Sequence, residues 1–168
     1  MQETPQQYTQ RILGYIDGKK PLDILGAAPR KVAALIKGVT KKRLSARPAP
    51  DKWSVTEILA HLADVETVQG VRLRLILESS GVPIQGFNQE VWARYSDYAK
   101  HDAALSFEAY KVNRERTVRL LKSLPRGMWE NYGMHSERGK ETVTRVTEMM
   151  AGHDINHLDQ IRRILKGK

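Results

Sequence analysis

Along most of the chain the apolar positions return every three or four residues, and no stretch alternates apolar with polar long enough to predict a strand. The pattern predicts an all-α protein, a four-helix bundle with one long crossover connection. A first helix starts at Thr4-Pro5, a cap residue followed by a first-turn proline, and ends near Gly18. Asp23 to Lys37 reads as a second helix, broken at Ala27, Ala28 and Pro29 and ended by Gly38. The proline-bearing loop TKKRLSARPAPDKW then leads to the best-marked start in the chain. Ser54-Val55-Thr56-Glu57 is a capping-box pattern, and Trp53 and Ile58 stand at the positions of a hydrophobic staple. From there Val55, Ile58, Leu62, Val65 and Ile76 share one face until Gly81, a helix of about seven turns. Gly81 to His101 is loop-like, with a short helix around Asn88–Tyr95, and its length suits a crossover. Asp102 caps a third long helix to Leu124, stopped by Pro125, and the last helix runs from about Thr142 to Leu165.

The last helix carries the most informative residues. Turning about 100° per residue, Val146, Met150, His157, Ile161 and Ile164 all fall within about 80° of His153. Two histidines one turn apart therefore sit inside an apolar stripe. Buried imidazoles need partners, because a bare polar nitrogen costs about 1–3 kcal/mol. A single metal ion satisfies both at once; backbone or water bonds to ordinary core histidines are the other reading. The glutamate of a zinc-protease HExxH motif is missing, with Asp154 in its place, so that mechanism is not proposed. Asp154 is expected to point about 100° away from its neighbouring histidine, toward the surface. His61, on the long helix after Ser54, faces either the bundle interior or solvent. If interior, it adds a third imidazole from a second helix and leaves a coordination position for water or substrate. Asp64, one turn along, is placed to orient such a ligand by hydrogen bonding.

Other polar and aromatic residues refine this picture. Tyr110, Asn113 and Thr117 fall on the inner face of the third long helix, lining a pocket or a half-exposed side. Trp53, Trp92 and Trp129 are expected to pack the bundle ends, and His101 and His135 to sit at the surface or anchor loops.

Composition narrows the chemistry. A chain of 168 residues, 40% apolar, sustains one domain over residues 1–168. No apolar run approaches the roughly 20 residues that span a bilayer, and MQETPQQYTQ lacks the basic-then-apolar order of a secretory signal, so the expected location is cytoplasmic. Cysteine is absent, which excludes disulfides, thiolate ligands and a cysteine nucleophile. The net charge of +9 raises nucleic acid as a partner, but the basic residues are scattered among separate segments, which argues against a dedicated surface.

The runs DKWSVTEILAHLADVE and AGHDINHLDQIRRIL resemble the DinB/YfiT-like superfamily. That group has a tryptophan-serine helix start, a histidine about seven residues on, and a closing H-D-x-x-H-x-x-Q-I segment. FEAYKVNRERTVRLLKSL resembles its third helix, and His135-Ser136-Glu137 before Gly139 the loop ahead of its fourth. The resemblance implies a four-helix bundle with a long crossover and places His61, His153 and His157 at the family's three metal-ligand positions. It also implies a divalent metal, Zn or Ni foremost, and either hydrolysis of a small-molecule substrate or S-transfer from a low-molecular-weight thiol such as bacillithiol or mycothiol. A homodimer is the implied assembly. A non-catalytic metal-binding or regulatory bundle is the alternative, and a basic nucleic-acid-associated protein ranks below it.

Overall fold

The computed structural model describes residues 3–167. In chain order they form α1 (Pro5–Gly14), α2 (Pro21–Ile36), the short α3 (Lys41–Ser45), α4 (Val55–Glu78), β1 (Val82–Ile84), α5 (Gln89–Tyr95), α6 (Ala103–Ser123), β2 (Tyr132–His135), β3 (Gly139–Thr142) and α7 (Val143–Lys166). The bundle is a ring in which α4 packs on α6, α6 on α2, α2 on α7 and α7 on α4, with α1 laid along α7 from outside. Residues 79–102, including β1 and α5, make the crossover from α4 to α6.

The starts of α1, α4, α6 and α7 are where the side chains predict them. Ser54 Oγ accepts the Glu57 amide, and Glu57 returns the bond to the Ser54 amide at 2.8 Å. Arg47 pairs with the same carboxylate and fixes the preceding loop to it. Thr4 and Gln7 repeat the reciprocal box on α1, and the Asp102 and Thr142 side chains accept first-turn amides of α6 and α7.

Three secondary-structure expectations fail here, and the first is the loop TKKRLSARPAPDKW, which holds the short helix α3 capped by Thr40. The second helix is not broken: α2 runs through Ala27, Ala28 and Pro29 without interruption. Proline has no N–H for the carbonyl four residues back, and Arg114 of α6 donates from Nη1 to that Leu25 carbonyl at 3.5 Å. A tertiary donor thus covers the acceptor that proline leaves bare. Strands also exist, in a sheet ordered β1-β2-β3, with β1 parallel to β2 and β2 antiparallel to β3. Strands of three and four residues are too short to display an alternation. The sheet closes one end of the bundle, where Gly133 lies under Ile84 so closely that a Cβ would stand 2.5 Å from its side chain.

Apolar packing forms two clusters along the bundle. One holds Ile58, Leu59, Leu62, Tyr110, Leu158 and Ile161; the other holds Leu73, Ile76, Val118, Leu121, Val146 and Met150. Between them on their helices lie Glu66, Arg114 and Asp154, all buried. Arg114 donates to Glu66 Oε2 at 2.7 Å and forks onto both oxygens of Asp154, which also accepts the Tyr110 hydroxyl at 3.3 Å. Asp154 is therefore an interior residue, against the surface position expected. The roughly 100° that carries it off the histidine face turns it toward α6 rather than solvent.

Two substitutions test this packing. At Gly152 of α7 a Cβ would meet the Ile12 carbonyl at 2.1 Å, so Gly152→Ala is expected to push α1 off α7 and cost about 1–3 kcal/mol in urea unfolding. Arg114→Met strands two buried carboxylates and is expected to cost about 3–5 kcal/mol by the same measurement. An unchanged midpoint in either variant would contradict the packing described.

Candidate metal centre

Three imidazoles converge between α4 and α7. His61 lies in the second turn of α4, and His153 and His157 occupy successive turns of α7. Their exposures are 2%, 9% and 7%. His153 Nε2 stands 3.0 Å from His61 Nε2 and 3.1 Å from His157 Nε2. The three ligand atoms lie within 4.8 Å of one another. Of the two positions open for His61 in the sequence, the interior one is realised.

Hydrogen bonding alone cannot satisfy this group. His157 Nδ1 faces Gln160 Oε1 at 3.0 Å, and an amide oxygen only accepts, so the His157 proton lies on Nδ1 and its Nε2 offers a lone pair. His153 Nε2, in contact with both neighbours, carries either one proton or one lone pair. As a lone pair it meets the lone pair of His157, and as an N–H it can direct its one proton fully at only one of its two neighbours. A cation facing three lone pairs removes the conflict. Tetrahedral ligation with metal–nitrogen bonds of about 2.0–2.1 Å separates ligand nitrogens by about 3.3 Å, close to the two spacings observed. The imidazole donor set fits a divalent transition-metal ion.

Electrostatics agree with neutral ligands. Burial, and then the His157 charge, holds His61 well below the usual imidazole range. Burial likewise depresses His153, followed by the two neighbouring histidines, Arg114 and Arg11. His157 is pushed down to about 4 by burial, with the Gln160 bond opposing. Imidazoles held neutral need not shed a proton to bind a metal near pH 7.

The surroundings hold the rings in place. Trp53 does not simply pack a bundle end: its ring lies 5.0 Å from that of His61 while it also packs on the cluster containing Ile58. Tyr98 stands edge-on to Trp53 at 6.2 Å, and its hydroxyl donates to Asp64 Oδ2. The hydrogen bond of Asp64 thus goes to Tyr98, which meets the centre through Trp53. Tyr110 and Thr117 are buried, Tyr110 on Asp154, while Asn113 donates to Thr67 at 3.2 Å. None of the three belongs to the histidine cluster. Trp92 is partly exposed and stacks on Phe87, and Trp129 packs against the sheet-end core. His101 is exposed and bonds the Ser96 carbonyl, as a loop anchor should. His135 is buried in β2, not at the surface, because the unforeseen sheet encloses it. Gln160 joins the site through its bond to His157, a partner that the apolar periodicity of α7 does not single out and only the i+3 spacing suggests.

Comparison with known proteins adds three findings. Residues 24–161 match the sequence profile of the DinB superfamily. A protein of Oceanobacillus iheyensis, named by inference a metal-dependent hydrolase, is 24% identical over 140 residues, spanning 83% of this chain and 81% of its own. A Bacillus cereus protein named in the same way is 25% identical over 138 residues, 82% of this chain and 79% of its own. The solved structure of YfiT from Bacillus subtilis, described as an unusual four-helix bundle, aligns with a TM-score of 0.81 at 18% identity, covering 97% of this chain and 88% of that one. At that identity the match shows a shared fold.

The depressed imidazoles set a pH dependence for the chelator-treated protein. An unfolded histidine titrates near 6.5, and all three titrate lower in the fold. Their contribution to stability is therefore complete above about pH 6.5 and is lost as pH falls toward about 4. Calorimetry should show the melting temperature dropping across that window, and His157→Gln should flatten the drop. A flat profile in the wild type would contradict the burial described.

Proposed function

The chain belongs to the DinB superfamily, and from that premise we propose that it is a metal-dependent enzyme of the hydrolase kind, with His61, His153 and His157 holding one divalent ion. The observation that carries the reading is three buried imidazole nitrogens gathered within 4.8 Å, with contacts that hydrogen bonds cannot satisfy together. The names of the curated relatives support it.

When bound, the ion would supply Lewis-acid chemistry, acidifying a water or thiol and polarising a substrate oxygen. The protein supplies the rest. Gln160 holds the Nδ1 proton of His157 and so keeps the Nε2 lone pair aimed at the cluster. Trp53 covers the His61 ring and limits its motion. Arg114 binds Glu66 of α4 and Asp154 of α7, fixing the two helices that carry the ligands at the level of the site. Asp64 acts through Tyr98 and Trp53 as a positioning group. Among the described residues the cluster has three ligand atoms and no fourth. Three ligands favour a centre with room for substrate over a closed structural one.

S-transfer is a second route open to the same ligands. The chain has no cysteine, so a thiol used there must come from a small molecule such as bacillithiol or mycothiol. Among the described residues no helix is long and apolar enough to cross a membrane. A cytoplasmic homodimer acting on a small molecule completes the reading.

Tag-free protein should carry close to one zinc or nickel ion per chain, measured by mass spectrometry. Alanine at any of the three histidines should abolish it, and Gln160→Leu should weaken metal affinity about 10–100-fold. Hydrolysis of small esters or amides, or thiol transfer to an electrophile, should then depend on the ion. A wild-type protein that neither contains nor takes up metal would overturn the proposal.

A further inference from the structure

Arg72 lies eleven residues beyond His61 on α4. At 100° per residue this is three turns and about 20°, so both side chains leave the helix on nearly one face, about 16 Å apart along its axis. Arg72 is only 7% exposed. Among the described residues no carboxylate pairs with it, and the acceptor it reaches is the Gln85 carbonyl, from Nη2. With one protein acceptor, most of its N–H groups remain free to receive an anion. The Phe87 ring, 5.5 Å from its Cζ, steadies its plane.

A second unused donor stands beside it. His135 Nδ1 accepts the Glu137 amide at 3.1 Å, which leaves the ring proton on Nε2. That Nε2 is buried and has no partner. Both groups border the end of β1: His135 is in register with Ile84, and Arg72 grips the next carbonyl. Arg138 adds a cation whose fork is engaged by Glu141 at 2.7 and 2.9 Å. Glu137 is exposed. Neither acid comes within ion-pair distance of Arg72.

We propose that Arg72 and His135 form an anion site that receives a carboxylate or phosphate group of the substrate. A planar fork and an imidazole N–H together match the oxygens of such a group. Assigning the anion to the substrate rests on the metal-centre reading above; the anion site itself stands on the two unused donors. The substrate class that follows is a small molecule with its reacting group at the histidines and an anionic end about three helical turns away.

The test titrates ¹⁵N-labelled, zinc-loaded full-length protein with inorganic phosphate at constant ionic strength, following the His135 imidazole Nε2–H resonance. A saturable shift is expected in the wild type and in the surface control Arg162→Gln, with binding roughly tenfold or more weaker in Arg72→Gln. Succinate in a parallel titration separates carboxylate from phosphate preference. Should Arg72→Gln fail to fold, Arg72→Lys keeps the charge while removing the fork and serves in its place. No saturable shift with either anion, or an equal response without the Arg72 fork, overturns the site. Repeating the titration after chelation separates the two proposals. A protein that binds phosphate but never zinc defeats the metal centre and leaves the anion site standing.

Discussion

Arg114 reaches from α6 into the middle of the bundle and bonds three other helices. It meets Glu66 of α4, Asp154 of α7 and the Leu25 carbonyl of α2. Each partner is one the apolar interior would otherwise punish: two buried carboxylates, and an acceptor stripped of its donor by Pro29. Burial pushes both carboxyls up, and the guanidinium opposes that most strongly. This polar layer divides the core into two apolar clusters and sets the relation between α4 and α7.

The histidine cluster depends on that relation. Asp154 directly follows His153, and Glu66 lies five residues beyond His61, so the residues Arg114 holds are near neighbours of the clustered histidines. Pulling α4 and α7 apart would cost the buried ion group before it relaxed the crowded nitrogens. The interior therefore keeps three imidazole nitrogens crowded together, the preorganisation that the proposed shared cation would use.

Much of this was legible in the chain. Helix caps are local, so Ser54-Glu57, Asp102 and Thr142 could be read without tertiary knowledge. The stripe on α7 placed His153 and His157 inside, and resemblance supplied His61, whose own periodicity left it undecided. What escaped was tertiary. Pro29 reads as a breaker because its compensating donor lies 85 residues away. Asp154 reads as a surface acid because its partner is on another helix. Three short strands carry no period, and with them went the burial of His135 and its unused nitrogen.

X-ray absorption on the zinc-loaded protein tests the central claim most directly. The account predicts three imidazole nitrogens at about 2.0–2.1 Å with one further light ligand, and loss of one imidazole contribution in His61→Ala. A shell of oxygen ligands without imidazole scattering, or one unchanged by His61→Ala, would contradict it.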